Sequence, residues 1–200
     1  MEVAEILEVY EDCKEFLKNG GITVTGGEPL LQMDFLIELF TKCKDKGIHT
    51  CIDTSGCVYQ SNNKSQHEKL TNLMAVTDLV LLDIKHISSE KHQELTGADN
   101  KGILAFAQYL DDNQIPVWIR HVVVPGVTLK DEDLYNLGYF LGQFKNIKAL
   151  DILPYHTMGK EKYESLGIPY PLDGVPAATN EEAIHARNQI LMGMKKRMKE

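Results

Sequence analysis

Polar residues and a pair of glycines follow apolar runs at several points of this 200-residue sequence. They are Gly26-Gly27-Glu28, Asp53-Thr54, Asp83 with Lys85, Arg120 with His121, and His156. Any one of these groups could reflect the simple fact that strands end in polar loops. Five such groups in one chain favour a binding site over a surface pattern.

The first group combines glycines with a carboxylate. Glycine lets a ligand touch the main chain and permits backbone angles that other residues avoid. The carboxylate of Glu28 suits a cationic group rather than a phosphate. The alternative, equally good for residues 26–29 alone, is a tight turn between a strand and a helix.

Asp83 and Lys85 are two residues apart on a predicted strand, so their side chains point to the same face. There they could bind a zwitterion, carboxylate to amine and amine to carboxylate. The alternative is a salt bridge between the two. Asp53 and Thr54 end the neighbouring predicted strand and add oxygen donors, which suit a hard cation as well as an amine.

Arg120 and His156 complete the set of candidate residues. Arg120 lies in an apolar strand and needs a partner or a cavity, since a buried charge is costly. His156 suits a hydrogen bond to a ribose or proton transfer, although a lone histidine at a strand end is more often structural. The histidines without metal-binding spacing are predicted to lie at the surface: His49, His67, His86, His92 and His185.

The four cysteines, at positions 13, 43, 51 and 57, form no C-x-x-C pair, so a structural zinc site has no support. Cys13 and Cys43 fall on apolar helical positions and are predicted to be buried. Cys51 and Cys57 flank a turn and are expected to be free thiols.

The elements that must position these residues alternate between helix and strand. Strands are predicted near residues 22–25, 48–52, 79–82, 116–124 and 147–153. Helical periodicity appears near residues 3–17, 35–43, 70–74, 103–110 and 134–144, and again from residue 180. The first helix is predicted to end at Asn19-Gly20-Gly21, and residues 157–179 are predicted to form a long loop.

This alternation implies parallel strands with right-handed crossovers and therefore an α/β fold. The consecutive apolar residues 79–82 indicate a strand covered on both faces. An open doubly wound sheet and part of a β/α barrel both fit, in a single domain covering residues 1–200. In either fold the ligand lies at the carboxyl ends of the strands, where the polar groups stand.

Composition excludes several classes of function. The net charge is −8, from 21 basic and 29 acidic residues, without a stripe of Lys and Arg, so nucleic acid is not an expected partner. No apolar run approaches the ~20 residues that a membrane span needs. The acidic N-terminus does not fit a secretory signal, and a cytoplasmic protein is expected.

Several segments of the chain together resemble pyruvate formate-lyase activating enzymes, which are radical S-adenosylmethionine (SAM) proteins. The segments are, in order, GGEPLLQ (26–32), GIHTCIDTSG (47–56), DLVLLDIK (78–85), VWIRHVVVPG (117–126) and LPYH (153–156). The similarity covers the chain from about residue 1 to the final helix. It implies a partial parallel β/α barrel of the radical SAM type, and activation of pyruvate formate-lyase by SAM-dependent formation of a glycyl radical.

The resemblance also implies roles for individual residues. Gly26, Gly27 and Glu28 would hold the SAM amino group. Asp83 and Lys85, with Ile84 between them, would bind the ribose and the carboxylate end of SAM. The remaining roles are a nucleoside contact for His156, a place facing SAM and substrate for Arg120, and a monovalent cation at Asp53, Thr54 and Asp83.

One feature of the family is missing. Its [4Fe-4S] cluster is held by a C-x-x-x-C-x-x-C loop, whereas the cysteines here are separated by 30, 8 and 6 residues. We therefore expect a chain truncated at its N-terminus, with the cluster ligands in the parent protein and residues 22–25 left as an edge strand. The alternatives are a cluster-less module that binds SAM or a partner without catalysis, and an activase of a different glycyl radical enzyme.

Overall fold

The protein, a computed structural model, is described over residues 1–17 and 20–200. Asn19, part of the predicted end of the first helix, lies outside the described residues. The strands are β1 (Gly21–Val24), β2 (His49–Thr54), β3 (Leu79–Asp83), β4 (Val117–Val123) and β5 (Ile147–Pro154). The helices are α1 (Val3–Cys13), α2 (Met33–Asp45), α3 (Lys64–Met74), α4 (Ser89–Thr96), α5 (Lys101–Asp112), α6 (Asp131–Leu141), α7 (Lys160–Ser165) and α8 (Asn180–Arg197). Short 3-10 helices lie at Pro29–Gln32 and Thr157–Gly159.

The strands of the described residues form one sheet in the order β1-β2-β3-β4-β5. β1 pairs with β2 and β2 pairs with β3 in parallel, with Val24 opposite Ile52 and Thr54 opposite Leu82. A doubly wound sheet reverses its strand order at a switch point. Here each strand follows its predecessor in the sheet, as in a β/α barrel. The fold is therefore a partial parallel β/α barrel, as the resemblance implies.

The described chain divides into two compact units, the first of which comprises Met1–Asp83, Lys101–Ile119 and Lys145–Ala149. α2 buries Leu36, Leu39, Phe40 and Cys43, which recur at helical spacing and so form one apolar face. The largest fully buried side chains of this unit include Phe40, Ile52, Phe106 and Leu110. These residues form the core beneath β1, β2 and β3.

The second unit comprises Ile84–Asn100, Arg120–Phe144 and Leu150–Glu200. α8 begins with a capping box, in which Thr179 Oγ1 accepts from Glu182 N and Glu182 Oε2 accepts from Thr179 N. Its backbone approaches α6 at two glycines. A Cβ atom at Gly138 would lie 1.9 Å from Ile190 O, and one at Gly193 would lie 2.1 Å from Tyr135 O.

Two helices, two buried histidines and one exposed cysteine differ from the sequence predictions. α4 has a single buried residue, His92, and therefore lacks the apolar stripe by which a helix is predicted. α7 lies in the predicted loop and buries no residue. The surface prediction is wrong for His86 and His92, which are 2% and 3% exposed. The burial predicted for Cys13 is also wrong: Cys13 is exposed at the end of α1, whose buried residues are Val3 and Leu7. Cys43 is buried as predicted.

Candidate functional site

The turn after β1 is made by Gly26 and Gly27, whose φ angles are +86° and +52°. Residues with side chains rarely adopt such angles. A Cβ atom at either position would meet nothing within 4 Å, so the backbone angle rather than lack of space requires glycine. Both residues are exposed, which leaves the main chain of this turn open to a ligand.

The Glu28 carboxylate accepts hydrogen bonds from four protein donors. Its Oε1 accepts from Leu30 N at 3.1 Å and from Thr54 Oγ1 at 2.5 Å. Its Oε2 accepts from Ser55 N at 3.2 Å and from Ser55 Oγ at 2.6 Å. A carboxylate has about four lone-pair positions, so these donors occupy it. Glu28 thus ties the turn after β1 to the loop after β2.

Asp53 and Thr54 end β2 and bind residues around the β1 turn. Thr25 Oγ1 donates to Asp53 Oδ2 at 3.2 Å. Thr54, which is 3% exposed, donates to Glu28 and accepts from Gly56 N at 2.9 Å. The predicted residues Glu28, Asp53 and Thr54 therefore lie together at the carboxyl ends of β1 and β2.

Asp83 is the last residue of β3. Because Thr54 lies opposite Leu82 in the parallel register, Asp83 stands at the same edge of the sheet as the end of β2. Three neighbouring strands of the first unit thus bring the carboxylates of Glu28, Asp53 and Asp83 to their carboxyl ends. Carboxylates at this edge suit an ammonium group or a hard cation.

Lys85 and Arg120, both in the second unit, are placed differently from their predictions. Lys85 lies two residues beyond the end of β3, although Ile84 N–H donates to Arg120 O at 3.0 Å and so extends the pairing with β4. Arg120 lies in the middle of β4 rather than at its end, and its Nε is 3.9 Å from Asp151 Oδ2. Asp151 could not be identified from the sequence, because one carboxylate inside a strand carries no motif.

His156 is exposed and follows the end of β5 by two residues. The backbone beside it continues the pairing of the strands, since Tyr155 N–H donates to Val123 O at 2.9 Å. His156 thus lies just beyond the carboxyl end of β5, a position from which it could contact a ligand. Its imidazole is in contact with solvent.

Two buried histidines of the second unit stand next to predicted site residues. His86 Nδ1 accepts from Ser88 N at 3.0 Å, and its Nε2 lies 3.5 Å from Asp133 Oδ2, to which Lys91 also donates. Burial lowers the pKa of His86, and the Asp133 carboxylate opposes that effect. Burial also lowers the pKa of His121, whose Nδ1 lies 2.7 Å from Ile84 O.

The donor set of this chain does not fit an iron–sulfur cluster. The four cysteines, all within the described residues, form no disulfide; Cys43 and Cys51 are buried while Cys13 and Cys57 are exposed. A four-iron cluster takes several thiolates from one neighbourhood. In residues 1–17 and 20–200, no group of three or more His, Cys, Asp or Glu side chains is arranged to hold a metal ion.

Known proteins resemble this chain both in sequence and in fold. Residues 1–138 match the radical SAM superfamily. The chain is 55% identical over 168 residues to a pyruvate formate-lyase-activating enzyme of Streptococcus mutans, covering 84% of this chain and 64% of that protein. It is 51% identical over 189 residues to the enzyme of the same name from Listeria monocytogenes, covering 92% of this chain and 75% of that protein.

A solved domain of a pyruvate-formate lyase-activating enzyme from Bacteroides vulgatus has the same fold. Its TM-score is 0.68 at 24% identity, over 90% of this chain and 95% of that one. No helix in the described part of the chain is both long and apolar enough to cross a membrane. The chain spans roughly two thirds to three quarters of the two relatives named above. It belongs to the radical SAM superfamily and, within it, to the family of pyruvate formate-lyase-activating enzymes.

Proposed function

We propose that this protein serves the activation of pyruvate formate-lyase, by binding SAM for the formation of a glycyl radical on that enzyme. The observation that carries the proposal is the 51% identity that extends over 92% of the chain. The carboxylates of Asp53 and Asp83, at the ends of β2 and β3, support it, because they suit the ammonium group of SAM. A cytoplasmic location belongs to the same proposal.

The residues assigned to SAM are those that the family resemblance implies. In the first unit, the exposed main chain of Gly26 and Gly27, with Asp53, is assigned to the amino group, and Glu28, which accepts from four protein donors, holds that turn in place. Asp83, Ile84 and Lys85 are assigned to the ribose and the carboxylate. Arg120 and His156 complete the set, and Asp53, Thr54 and Asp83 form the proposed site of a monovalent cation. When bound, SAM would supply the radical chemistry on receiving one electron from the [4Fe-4S] cluster of the parent protein, and these residues would bind and orient it.

A second candidate function rests on the cysteine spacing. A module that binds SAM or a glycyl radical enzyme without catalysis would need no cluster ligands, and the cysteines of this chain do not fit a cluster. Activation of a different glycyl radical enzyme is a variant of the first proposal, since the loops that select a partner are not identified by sequence motifs.

SAM binding tests the assigned residues. Isothermal titration calorimetry with SAM should give weak binding to the native chain and at least about tenfold weaker binding to Lys85→Ala, which loses a charge-assisted hydrogen bond. Lys148→Ala, which removes an exposed lysine of β5, is the matched control and should bind like the native chain. Equal affinity of all three proteins would remove Lys85 from the site.

Cluster formation separates the two candidate functions. Because this chain lacks the cysteine triad, anaerobic reconstitution with iron and sulfide should leave no stoichiometric four-iron cluster, as measured by iron analysis and electron paramagnetic resonance. A glycyl radical signal from added pyruvate formate-lyase, SAM, a reductant and this chain would favour the activase. Binding of SAM or of the lyase without a radical signal would favour the non-catalytic module.

A further inference from the structure

Between Asp83 and Lys85, both backbone polar groups of Ile84 are hydrogen-bonded to β4. Ile84 is fully buried, although β3 ends one residue before it. Its N–H donates to Arg120 O at 3.0 Å, which continues the strand pairing. Its carbonyl oxygen lies 2.7 Å from Nδ1 of His121, so a side chain of β4 provides the donor at this point.

The contact fixes the protonation of the His121 ring. A carbonyl oxygen only accepts, so Nδ1 must carry the proton. Burial lowers the pKa of His121 and so favours the neutral ring, in which Nδ1 carries the one proton. Nε2 is buried and meets no partner at hydrogen-bond geometry within the described residues, although the backbone of Thr128 lies near enough to raise the pKa of the ring and so oppose the effect of burial. The single N–H of the ring therefore donates to the carbonyl oxygen of Ile84.

Other groups near the ring are already engaged. The Thr128 hydroxyl accepts from Val124 N at 2.7 Å and donates to Val122 O at 2.8 Å. A buried acceptor without a partner is unfavourable for folding. An imidazole at this position is thus not explained by stability alone, and the bond to Ile84 is the contact that distinguishes it from an apolar side chain.

We propose that His121 is a positioning residue for the SAM site, whose Nδ1–H holds Ile84 so that Asp83 and Lys85 present their side chains to the ligand. In an extended chain, alternate side chains project to opposite faces. Ile84 is buried while Asp83 and Lys85 are both partly exposed, so the two polar side chains share the face opposite Ile84. A rotation of the backbone at Ile84 would move both of them. The inference rests on the proposed function.

Asparagine and leucine at position 121 form a matched pair for the test. Asn Nδ2 occupies the position of His Nδ1 and can donate to Ile84 O, whereas the leucine side chain of similar shape cannot. By calorimetry with SAM, we expect His121→Asn to bind within about twofold of the native chain. We expect His121→Leu to bind roughly tenfold more weakly, as is typical when a residue that orients a ligand-binding group is removed.

Hydrogen exchange provides a readout that does not depend on SAM. The Ile84 amide should exchange faster in His121→Leu than in the native chain, and His121→Asn should restore its protection. If His121→Leu does not fold, His121→Gln, whose amide reaches the Nε2 position instead, takes its place in both measurements.

The outcomes separate this inference from the proposed function. Equal loss of SAM affinity in the Asn and Leu variants, or unchanged affinity in the Leu variant, would overturn the positioning role. If the native chain binds no SAM, the proposed function fails. In that case the hydrogen bond from His121 to Ile84 is tested by hydrogen exchange alone. An unchanged exchange rate of the Ile84 amide in His121→Leu would overturn the positioning role.

Discussion

At the scale of single residues, carboxylates of the first unit fix backbone that is remote in sequence. Glu28 accepts from Ser55 N, and Asp78 accepts from Thr50 N at 2.9 Å. Asp111 accepts from both Lys145 N and Asn146 N, at 2.7 and 3.1 Å. Hydrogen bonds from N–H groups to a charged acceptor are stronger than those between neutral groups. The carboxylates of Glu28, Asp78 and Asp111 therefore fix the positions of the loops before and after the strands.

Glu28→Gln should disturb the loop after β2. The change replaces one acceptor oxygen by an NH₂ group that faces donors, so we expect a loss of about 1–3 kcal/mol in the free energy of unfolding and weaker SAM binding. Glu38→Gln removes only an exposed ion pair with Lys42 and should change stability by at most about 1 kcal/mol. Urea denaturation of both variants measures this, and a native-like Glu28→Gln would contradict the assigned contacts.

The stabilising effect of Asp78 should depend on pH. Burial, the largest single influence, works to raise the pKa of Asp78, but hydrogen bonds from Lys44 and Thr50 outweigh it and the pKa is lowered. A carboxylate with a lowered folded pKa stabilises fully above its unfolded pKa of about 3.9, and this effect is lost as the pH falls through the folded pKa.

Asp78→Asn should therefore cost about 1–2 kcal/mol between pH 5 and 7, and the difference from the native chain should shrink below about pH 4. Denaturation midpoints across this range measure it. Asp34→Asn, which removes an exposed ion pair with Lys69, is the control and should show a small difference. A difference of constant size down to pH 3 would argue against the charge of Asp78 as its source.

The site residues differ in how far sequence alone could predict them. The turn at Gly26 and Gly27 could be predicted, because glycine readily adopts the positive φ angles found there. The role of His121 could not, because a histidine inside an apolar strand shows neither its neighbour nor its tautomer. The four donors around Glu28 also escape prediction, since Thr54 and Ser55 come close to it only through the pairing of β1 with β2.

At the scale of elements, α6 and α8 are joined by glycines that permit direct backbone contact. In addition to Gly138 and Gly193, a Cβ atom at Gly142 would lie 2.6 Å from Met194 O. Because the clashing atoms are backbone atoms, a side chain cannot rotate away to make room. The helices would have to move apart, which breaks close packing along their whole contact.

Gly193→Ala should therefore destabilise the second unit, although alanine is the better helix former. We expect a loss of at least about 2 kcal/mol in the free energy of unfolding, as is usual for overpacking of a close contact. Gly159→Ala is the control, because its Cβ atom would come no closer than 3.9 Å to another side chain. Equal stability of the two variants in urea would show that the helices are not in this contact.

Element boundaries were predictable where periodicity was strong. The start of α8 at Asn180 agrees with the prediction, although the capping residue is Thr179. The strand near residues 79–82 is confirmed as β3, with alternating burial. α4 and α7 are short and polar, so hydrophobic periodicity carries no signal for them. α4 is marked instead by its N-cap residue Ser88 and by Gly97 at its C-terminal end.

At the scale of the whole molecule, the described sheet ends at β1 on one side and at β5 on the other. The sequence expectation of an edge strand near residues 22–25 agrees with this order. Edge strands have unpaired N–H and C=O groups on one side, which favours local opening and association with other chains. β3, by contrast, lies between β2 and β4.

Amides of β1 should therefore exchange with solvent at least about tenfold faster than those of β3. Hydrogen exchange followed by mass spectrometry measures the two strands in one experiment, and β3 serves as the internal control. Size-exclusion chromatography over a range of concentrations should show self-association. Equal protection of β1 and β3 in a strictly monomeric protein would contradict an open edge at β1.

The alternation of the chain between its two units also affects synthesis on the ribosome. The chain passes from one unit to the other after five residues: Asp83, Asn100, Ile119, Phe144 and Ala149. Neither unit is a continuous segment, so the emerging polypeptide cannot complete one before it begins the other. We therefore expect the nascent chain to keep apolar surface of the first unit exposed until residues 145–149 have been translated, which would favour its binding by ribosome-associated chaperones.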